Sequence, residues 1–101
     1  MNNIDYFNIL RKIKYNPNSS QRDLANKLGF SLGKFNYCLK SLKNKGLVKI
    51  KNFRKNPNKS GYVYILTRKG LTEKTNLTLN FMKRKMKEYD ELKAEIEKDN
   101  K

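Results

Sequence analysis

The residues best suited to chemistry lie between Ser31 and Gly46, in Ser-Leu-Gly-Lys-Phe-Asn-Tyr-Cys-Leu-Lys-Ser-Leu-Lys-Asn-Lys-Gly. Phe35, Cys38, Leu39 and Leu42 fall at i, i+3, i+4 and i+7, the apolar stripe of an amphipathic helix. At about 100° per residue, Gly33, Tyr37, Lys40 and Asn44 then point away from that stripe, with Lys34, Asn36, Ser41 and Lys43 on the flanks. Such a surface offers cations for phosphates and amide or phenol groups for base edges, which is the chemistry of duplex DNA readout in the major groove. No acid interrupts it: the whole run from Leu24 to Thr72 is free of Asp and Glu. The alternative is a solvated helix face in a lysine-rich chain.

Other chemistries are poorly supplied. There is no histidine and one cysteine, Cys38, so a Cys/His zinc site, a histidine-based triad and an intramolecular disulfide are all excluded. The lone cysteine on an apolar stripe is expected to be a small buried hydrophobe rather than a redox sensor, and the chain is expected to be cytoplasmic. The five glycines are too scattered to cradle a phosphate, no Walker-type Gly-Lys-Ser/Thr occurs, and no cofactor or metal is expected. Nor does any run reach transmembrane length, so no membrane partner is expected.

Charge points the same way as the helix face. The formal charge is +15 over 101 residues, far beyond what solubility needs, and it implies a polyanionic partner, nucleic acid first and an anionic membrane surface second. Lysine and asparagine are both abundant, a pairing that A·T-rich coding sequence alone can produce, so distribution is the better guide. Residues 1–80 hold 17 basic and 3 acidic side chains, whereas the last 21 residues hold 7 and 6. The excess therefore belongs to the part that contains the candidate helix.

The elements that would position this face can be taken in order. Ile4, Phe7, Leu10 and Ile13 give a first helix from about Ile4 to Lys14, ended by Asn16-Pro17-Asn18. Ser20, with Asp23 three residues on, starts a second helix carrying Leu24, Ala25 and Leu28, and Gly29 ends it. Ser31 caps the third, and Gly46 stands where a C-terminal glycine belongs. Val48 and Ile50 alternate with Lys49 and Lys51, and Tyr62 to Leu66 is rich in β-branched and aromatic residues, so two strands form a hairpin. Its loop, Asn52 to Gly61, has a positive tip in Arg54, Lys55 and Lys59, able to lie along the backbone or to enter the minor groove. An ordinary solvated loop is the alternative.

Thr67 is a candidate cap for the last element, which runs to the C-terminus with an interruption expected near Gly70. From Leu79 the positions Leu79, Met82, Met86, Tyr89, Lys93 and Ile96 alternate spacings of three and four, a short coiled-coil seam, with Leu77, Phe81 and Leu92 widening it. Arg84 with Glu88, Lys87 with Glu91 and Lys93 with Glu97 are candidate i, i+4 pairs. The seam calls for a partner, and a helix folded back on its own lobe is the other reading. The expected fold is mainly α with a β-hairpin, a winged helix-turn-helix over 1–70 followed by a long C-terminal dimerisation helix over 71–101.

Gln21-Arg-Asp-Leu-Ala-Asn-Lys-Leu-Gly29, Lys45-Gly-Leu-Val-Lys49 and Leu66-Thr-Arg-Lys-Gly70 together resemble the winged-helix core of the MarR family of bacterial transcriptional regulators. Ser31 to Lys40, Val48 to Arg54 and Phe81 to Tyr89 are similar to the short MarR-type regulators associated with exopolysaccharide gene clusters. The resemblance implies a homodimer on a palindromic double-stranded DNA operator. It places recognition contacts on Gly33, Lys34, Asn36, Tyr37 and Lys40, beside Ser31 at the helix start, and wing contacts on Arg54 and Lys59. The chain departs from the usual pattern by lacking most of the helical lobe around which such regulators bind phenolic effectors. Dimerisation would then rest on the final helix through Leu79, Met82, Met86, Tyr89 and Ile96, and no effector is identified. The competing expectation is a winged-helix module that binds another protein; an enzyme has little support, with three acids before residue 80.

Overall fold

A computed structural model describes residues 3–51 and 63–100. Along this stretch the order is α1 (Asn3–Tyr15), α2 (Gln21–Leu28), α3 (Leu32–Asn44), β1 (Val48–Lys51), β2 (Val63–Leu66) and α4 (Arg68–Asp99). The expected architecture, mainly helical with a β-hairpin and a long last helix, is the one observed. The expected loop residues Arg54, Lys55 and Lys59 lie outside the described residues.

Local chemistry sets the helix ends. The Ser20 hydroxyl accepts the Asp23 amide N–H at 3.1 Å and that of Ser31 accepts the Lys34 N–H at 3.1 Å, each satisfying a donor left over in a first turn. Gly29 adopts φ +71°, a left-handed cap that costs other residues more, and the Phe30 N–H returns to the Ala25 carbonyl at 2.9 Å. Gly46 repeats this after α3 at φ +74°, with the Leu47 N–H donating to the Leu42 carbonyl at 3.0 Å.

The core is one cluster beneath the three short helices. Ile9, Leu10 and Ile13 of α1 meet Leu24 and Ala25 of α2 and the α3 stripe Phe35, Cys38, Leu39 and Leu42, closed by Leu47, Val48 and Leu77. Cys38 is buried with a free thiol, as its place on the apolar stripe predicts. The hairpin is a two-stranded antiparallel sheet pairing Val48 with Leu66 and Lys51 with Val63. At its base Val48 is buried in the core and Leu66 packs against it; Val63, at the Lys51 end, is also buried, whereas Ile50, expected to share a face with Val48, remains 37% exposed.

Two expectations about α4 need correction. The helix is not interrupted at Gly70. Thr67 caps it, its hydroxyl accepting the Gly70 N–H at 3.0 Å and donating to the Gly46 carbonyl at 2.6 Å, and α4 then runs unbroken for 32 residues. Glycine is required there because a Cβ would overlap the Leu47 carbonyl oxygen, so this residue marks a close approach of α4 to the turn before β1. Leu77 and Phe81 also do not widen the seam. Leu77 is buried in the core and the Phe81 ring stacks on Phe7, centroids 4.9 Å apart, so both lie on the face that α4 turns to its own lobe. At about 100° per residue, that face is roughly a third of a turn from the Leu79, Met82, Met86 and Tyr89 stripe. The reading of a helix folded back on its own lobe therefore holds for α4 as far as Phe81, and the stripe on its other face is exposed.

Beyond Phe81 α4 leaves the lobe, giving a molecule of 65 × 25 × 22 Å. Met82, Met86, Tyr89, Leu92 and Ile96 are all more than half exposed. The expected Arg84–Glu88 ion pair is replaced: Glu88 faces Lys85 at 3.5 Å, and the Arg84 guanidinium lies 5.2 Å from the centre of the Phe81 ring. No described helix is long and apolar enough to cross a membrane.

Candidate nucleic-acid interface

The α3 face opposite Phe35, Cys38, Leu39 and Leu42 is open. Gly33, Asn36, Tyr37, Lys40, Lys43 and Asn44 are all exposed, Tyr37 at 71%. The burial of the inner stripe fixes this outer one, because a helix that commits one face to the core has no rotational freedom left. The structure thus brings Asn36, Tyr37 and Lys40 together on one surface, where the sequence places them.

Behind α3 a second set of contacts holds the helix in position. The Tyr6 hydroxyl of α1 shares a 2.7 Å hydrogen bond with the Ser41 hydroxyl and accepts one from Lys45 Nζ at 3.2 Å. The Ser41 hydrogen bond, followed by the nearby Lys45 ammonium, pulls the Tyr6 phenol below its ordinary pKa against the opposing effect of burial. Tyr6 therefore ties the C-terminal half of α3 to α1 through polar contacts at the edge of the core.

Lys34 behaves differently from its neighbours. Its ammonium lies 3.4 Å from the Asp5 carboxylate and 4.0 Å from the centre of the Phe30 ring. The side chain is thereby directed along its own lobe, and Asp5, one of the three acids before residue 80, neutralises it. Ser31 is engaged in capping through its oxygen, which leaves its hydroxyl proton available to an outside acceptor.

Gly33 sits in the first turn of α3 with nothing within 4 Å of where a Cβ would stand. Packing inside the chain does not require a glycine there, and one inside a helix costs about 0.5–1 kcal/mol relative to alanine. The missing side chain instead leaves room for another molecule to approach the helix backbone.

Two further residues join this surface that sequence reasoning did not single out. Gln21, the first residue of α2, donates from Nε2 to the Tyr64 hydroxyl of β2 at 2.9 Å, and the pair walls an open groove with Asn36, Lys40 and Lys43. The groove connects α3 to the base of the hairpin. Gln21 carried a weak signal as a polar residue opening the first helix of the pair. For Tyr64 there was none, since its contact depends on where the strand lies. Lys49 and Lys51, exposed on β1, add positive charge along that strand.

Among the described residues no cluster of three or more His, Cys, Asp or Glu side chains could hold a metal ion. Every buried side-chain nitrogen and oxygen described has a hydrogen-bond partner. The arrangement is therefore an exposed surface of cations, amides and phenols, with no described acid on its outer stripe.

Comparison with known proteins agrees with this geometry. Residues 7–49 match a family described as winged helix-turn-helix DNA-binding, a stretch that runs from within α1 to the start of β1. No curated protein matches the chain. Among solved structures, the transcriptional repressor CouR bound to a 23-mer DNA duplex superposes with a TM-score of 0.73 at 24% identity, over 85% of this chain and 59% of that one. Streptococcus pneumoniae FabT in complex with DNA gives 0.66 at 20% identity, over 87% and 59%. A Mycobacterium tuberculosis MarR family protein in complex with p-aminosalicylic acid gives 0.64 at 19% identity, over 95% and 77%. The chain spans 59% of the length of each of the two DNA-bound proteins. At these identities the likeness is one of fold, and the chain is accordingly a winged helix-turn-helix with the architecture seen in these solved structures.

Proposed function

We propose that this protein is a sequence-specific double-stranded DNA-binding transcriptional regulator, acting in the cytoplasm as a homodimer on a palindromic operator. The observation that carries the reading is the exposed, acid-free outer stripe of α3, held rigidly by a fully buried inner one. Residues 1–70 form the DNA-binding part. Asn36, Tyr37 and Lys40 read base edges of one half-site, Gly33 admits the duplex to the helix backbone, and Ser31 and Lys34 act at the helix start. Lys34 must exchange Asp5 for a phosphate to do so. Arg54, Lys55 and Lys59 are assigned to the wing, where they would hold the backbone or the minor groove. Residues 71–101 form the dimerisation helix, with Leu79, Met82, Met86, Tyr89 and Ile96 between the two copies. The sequence resemblance to exopolysaccharide-associated regulators supports genes of that kind as targets.

Selection of binding sites from random duplex tests specificity and symmetry together, and a salt titration on the selected site completes it. A palindromic consensus bound far more tightly than random duplex is expected. Equal affinity for both at every salt concentration would overturn the specific reading.

The apolar free half of α4 favours one second reading, a winged-helix module that binds another protein. In that case duplex DNA binds weakly at physiological salt, and a stoichiometric protein partner is recovered instead.

A further inference from the structure

The bare part of α4 is electrically polarised along its length. Residues 83–87, Lys-Arg-Lys-Met-Lys, carry four cations and no acid, and residues 88–92, Glu-Tyr-Asp-Glu-Leu, carry three acids and no cation. These blocks flank the stripe of exposed Leu79, Met82, Met86, Tyr89 and Ile96. We infer that this stripe is covered by the same stripe of a second copy running in the opposite direction, with the two-fold axis passing between Lys87 and Glu88. The inference rests on the homodimer reading above and adds the direction and register of the pairing.

Charge decides the direction. Side by side in the same direction, the four-cation blocks of both copies would lie together, as would the acidic blocks, and Lys93 would face its own copy across the seam. Run in opposite directions about that axis, each basic block lies against the acidic block of the other copy. The seam layers then pair Leu79 with Ile96, Met82 with Lys93 and Met86 with Tyr89, which is the alternation that antiparallel coils use. Lys93 no longer meets a like charge. Its aliphatic stem lies on Met82 and its ammonium reaches the edge of the seam. Beside the seam, Lys83 comes next to Asp90 of the other copy, and symmetry makes the pair twice.

The lobe extends the same surface. Ile4 of α1, nearly half exposed, borders an open groove with Met82 and Met86, so the apolar stripe continues from α4 onto α1. Arg11 and Lys74 stand on the rim of that groove. In the opposed arrangement the acidic end of the second α4, Glu95 to Asp99, runs toward this basic rim. Pairing in one direction would carry that end away from it.

The register also sets the separation of the lobes. Leu77 anchors α4 to each core, and at about 1.5 Å per residue the two Leu77 positions lie about 32 Å apart along the coil. Half-sites one turn apart on B-DNA are about 34 Å apart, so the spacing suits successive major grooves on one face of the duplex.

A spin label on Lys98→Cys in the full chain measures the direction, since Cys38 is buried and stays unlabelled. Opposed helices put the two labels about 32 Å apart. Helices running together put them about 10 Å apart, the ordinary interaxial distance, and that result would overturn the direction while leaving the homodimer. A monomeric mass with no intermolecular distance, whether α4 is bare or covered by some other segment, overturns both. Register is tested by charge reversal: Lys83→Glu is expected to weaken self-association about tenfold and Asp90→Lys in the same chain to restore it. A double variant as weak as the single one overturns the register.

Discussion

The outer face of α3 and the free half of α4 are both exposed helix surfaces, and they expose opposite chemistries. On α3 every large apolar residue of the helix interior is turned inward except Tyr37, and cations and amides face outward. On α4 beyond Phe81 the apolar residues themselves face outward, between charged blocks of both signs. A polar, acid-free face loses little in water and gains most from a polyanion. An apolar stripe in water is unfavourable by about 25 cal/mol per Å² until something covers it, and mixed flanking charge suits another protein surface better than a nucleic acid. The two regions therefore call for different partners, and each can be disturbed without the other.

The largest effect is expected where α3 depends on the core. Phe35 is fully buried, so Phe35→Ala should cost about 3–5 kcal/mol and abolish cooperative thermal unfolding of the lobe, taking DNA binding with it. The corresponding disturbance of α4 should leave the lobe intact. Met82→Glu with Met86→Glu places carboxylates on the exposed stripe, and sedimentation should then show a monomer whose circular dichroism still reports the folded winged helix. Loss of the fold in this double variant would mean that the stripe is part of the lobe after all.

On the α3 side, Tyr37→Ala removes a side chain that supports nothing inside the chain. Affinity for the selected site should fall by about 1–3 kcal/mol, as for a lost base contact, with unchanged melting and little change on random duplex. Tyr6→Phe should do the reverse. It removes the hydrogen bond to Ser41 and lowers stability by about 1 kcal/mol in denaturant titrations without changing sequence preference. Separately from that hydrogen bond, the lowered pKa of Tyr6 favours its ionised form in the folded state, and the extra stability this brings is present above the ordinary phenol value and is lost as pH falls through the lowered one. At neutral pH it contributes nothing, and the Tyr6→Phe difference should grow only under alkaline conditions.

The smallest expected change has two signs. Gly33→Ala should stabilise the lobe by about 0.5–1 kcal/mol, because no packing demands the glycine, and at the same time weaken operator binding by crowding the helix backbone. If both stability and affinity rise, no duplex approaches the helix at that point.

The elements were legible because their signals are local. The Ser20 and Ser31 caps, the left-handed Gly29 and Gly46 and the α3 stripe each depend on residues within a few positions of one another, and all are found where periodicity puts them. The candidate surface was legible for the same reason, since burial of Phe35 and Leu39 carries Asn36, Tyr37 and Lys40 outward by helix geometry alone. Gly70 misled because a glycine within a helical pattern signals a break as readily as a close contact. Only the Leu47 carbonyl, brought up by the turn after α3, distinguishes the two.

Sequence alone determined where helices and strands form, which stripe of α3 is polar, and that the positive charge is concentrated before residue 80. Those properties follow from side-chain type and spacing along a helix or strand. Tertiary structure decided the long-range pairings: Lys34 with Asp5, Gln21 with Tyr64, and Phe7 with Phe81. It also decided how α4 divides its apolar residues. Leu77 and Phe81 are as apolar as Met82 and Met86, and a periodicity that tolerates spacings of three and four admits them all to one stripe. Only the position of α1 and the core, which fixes the rotation of α4 about its axis, separates the residues that the lobe buries from those left for a partner.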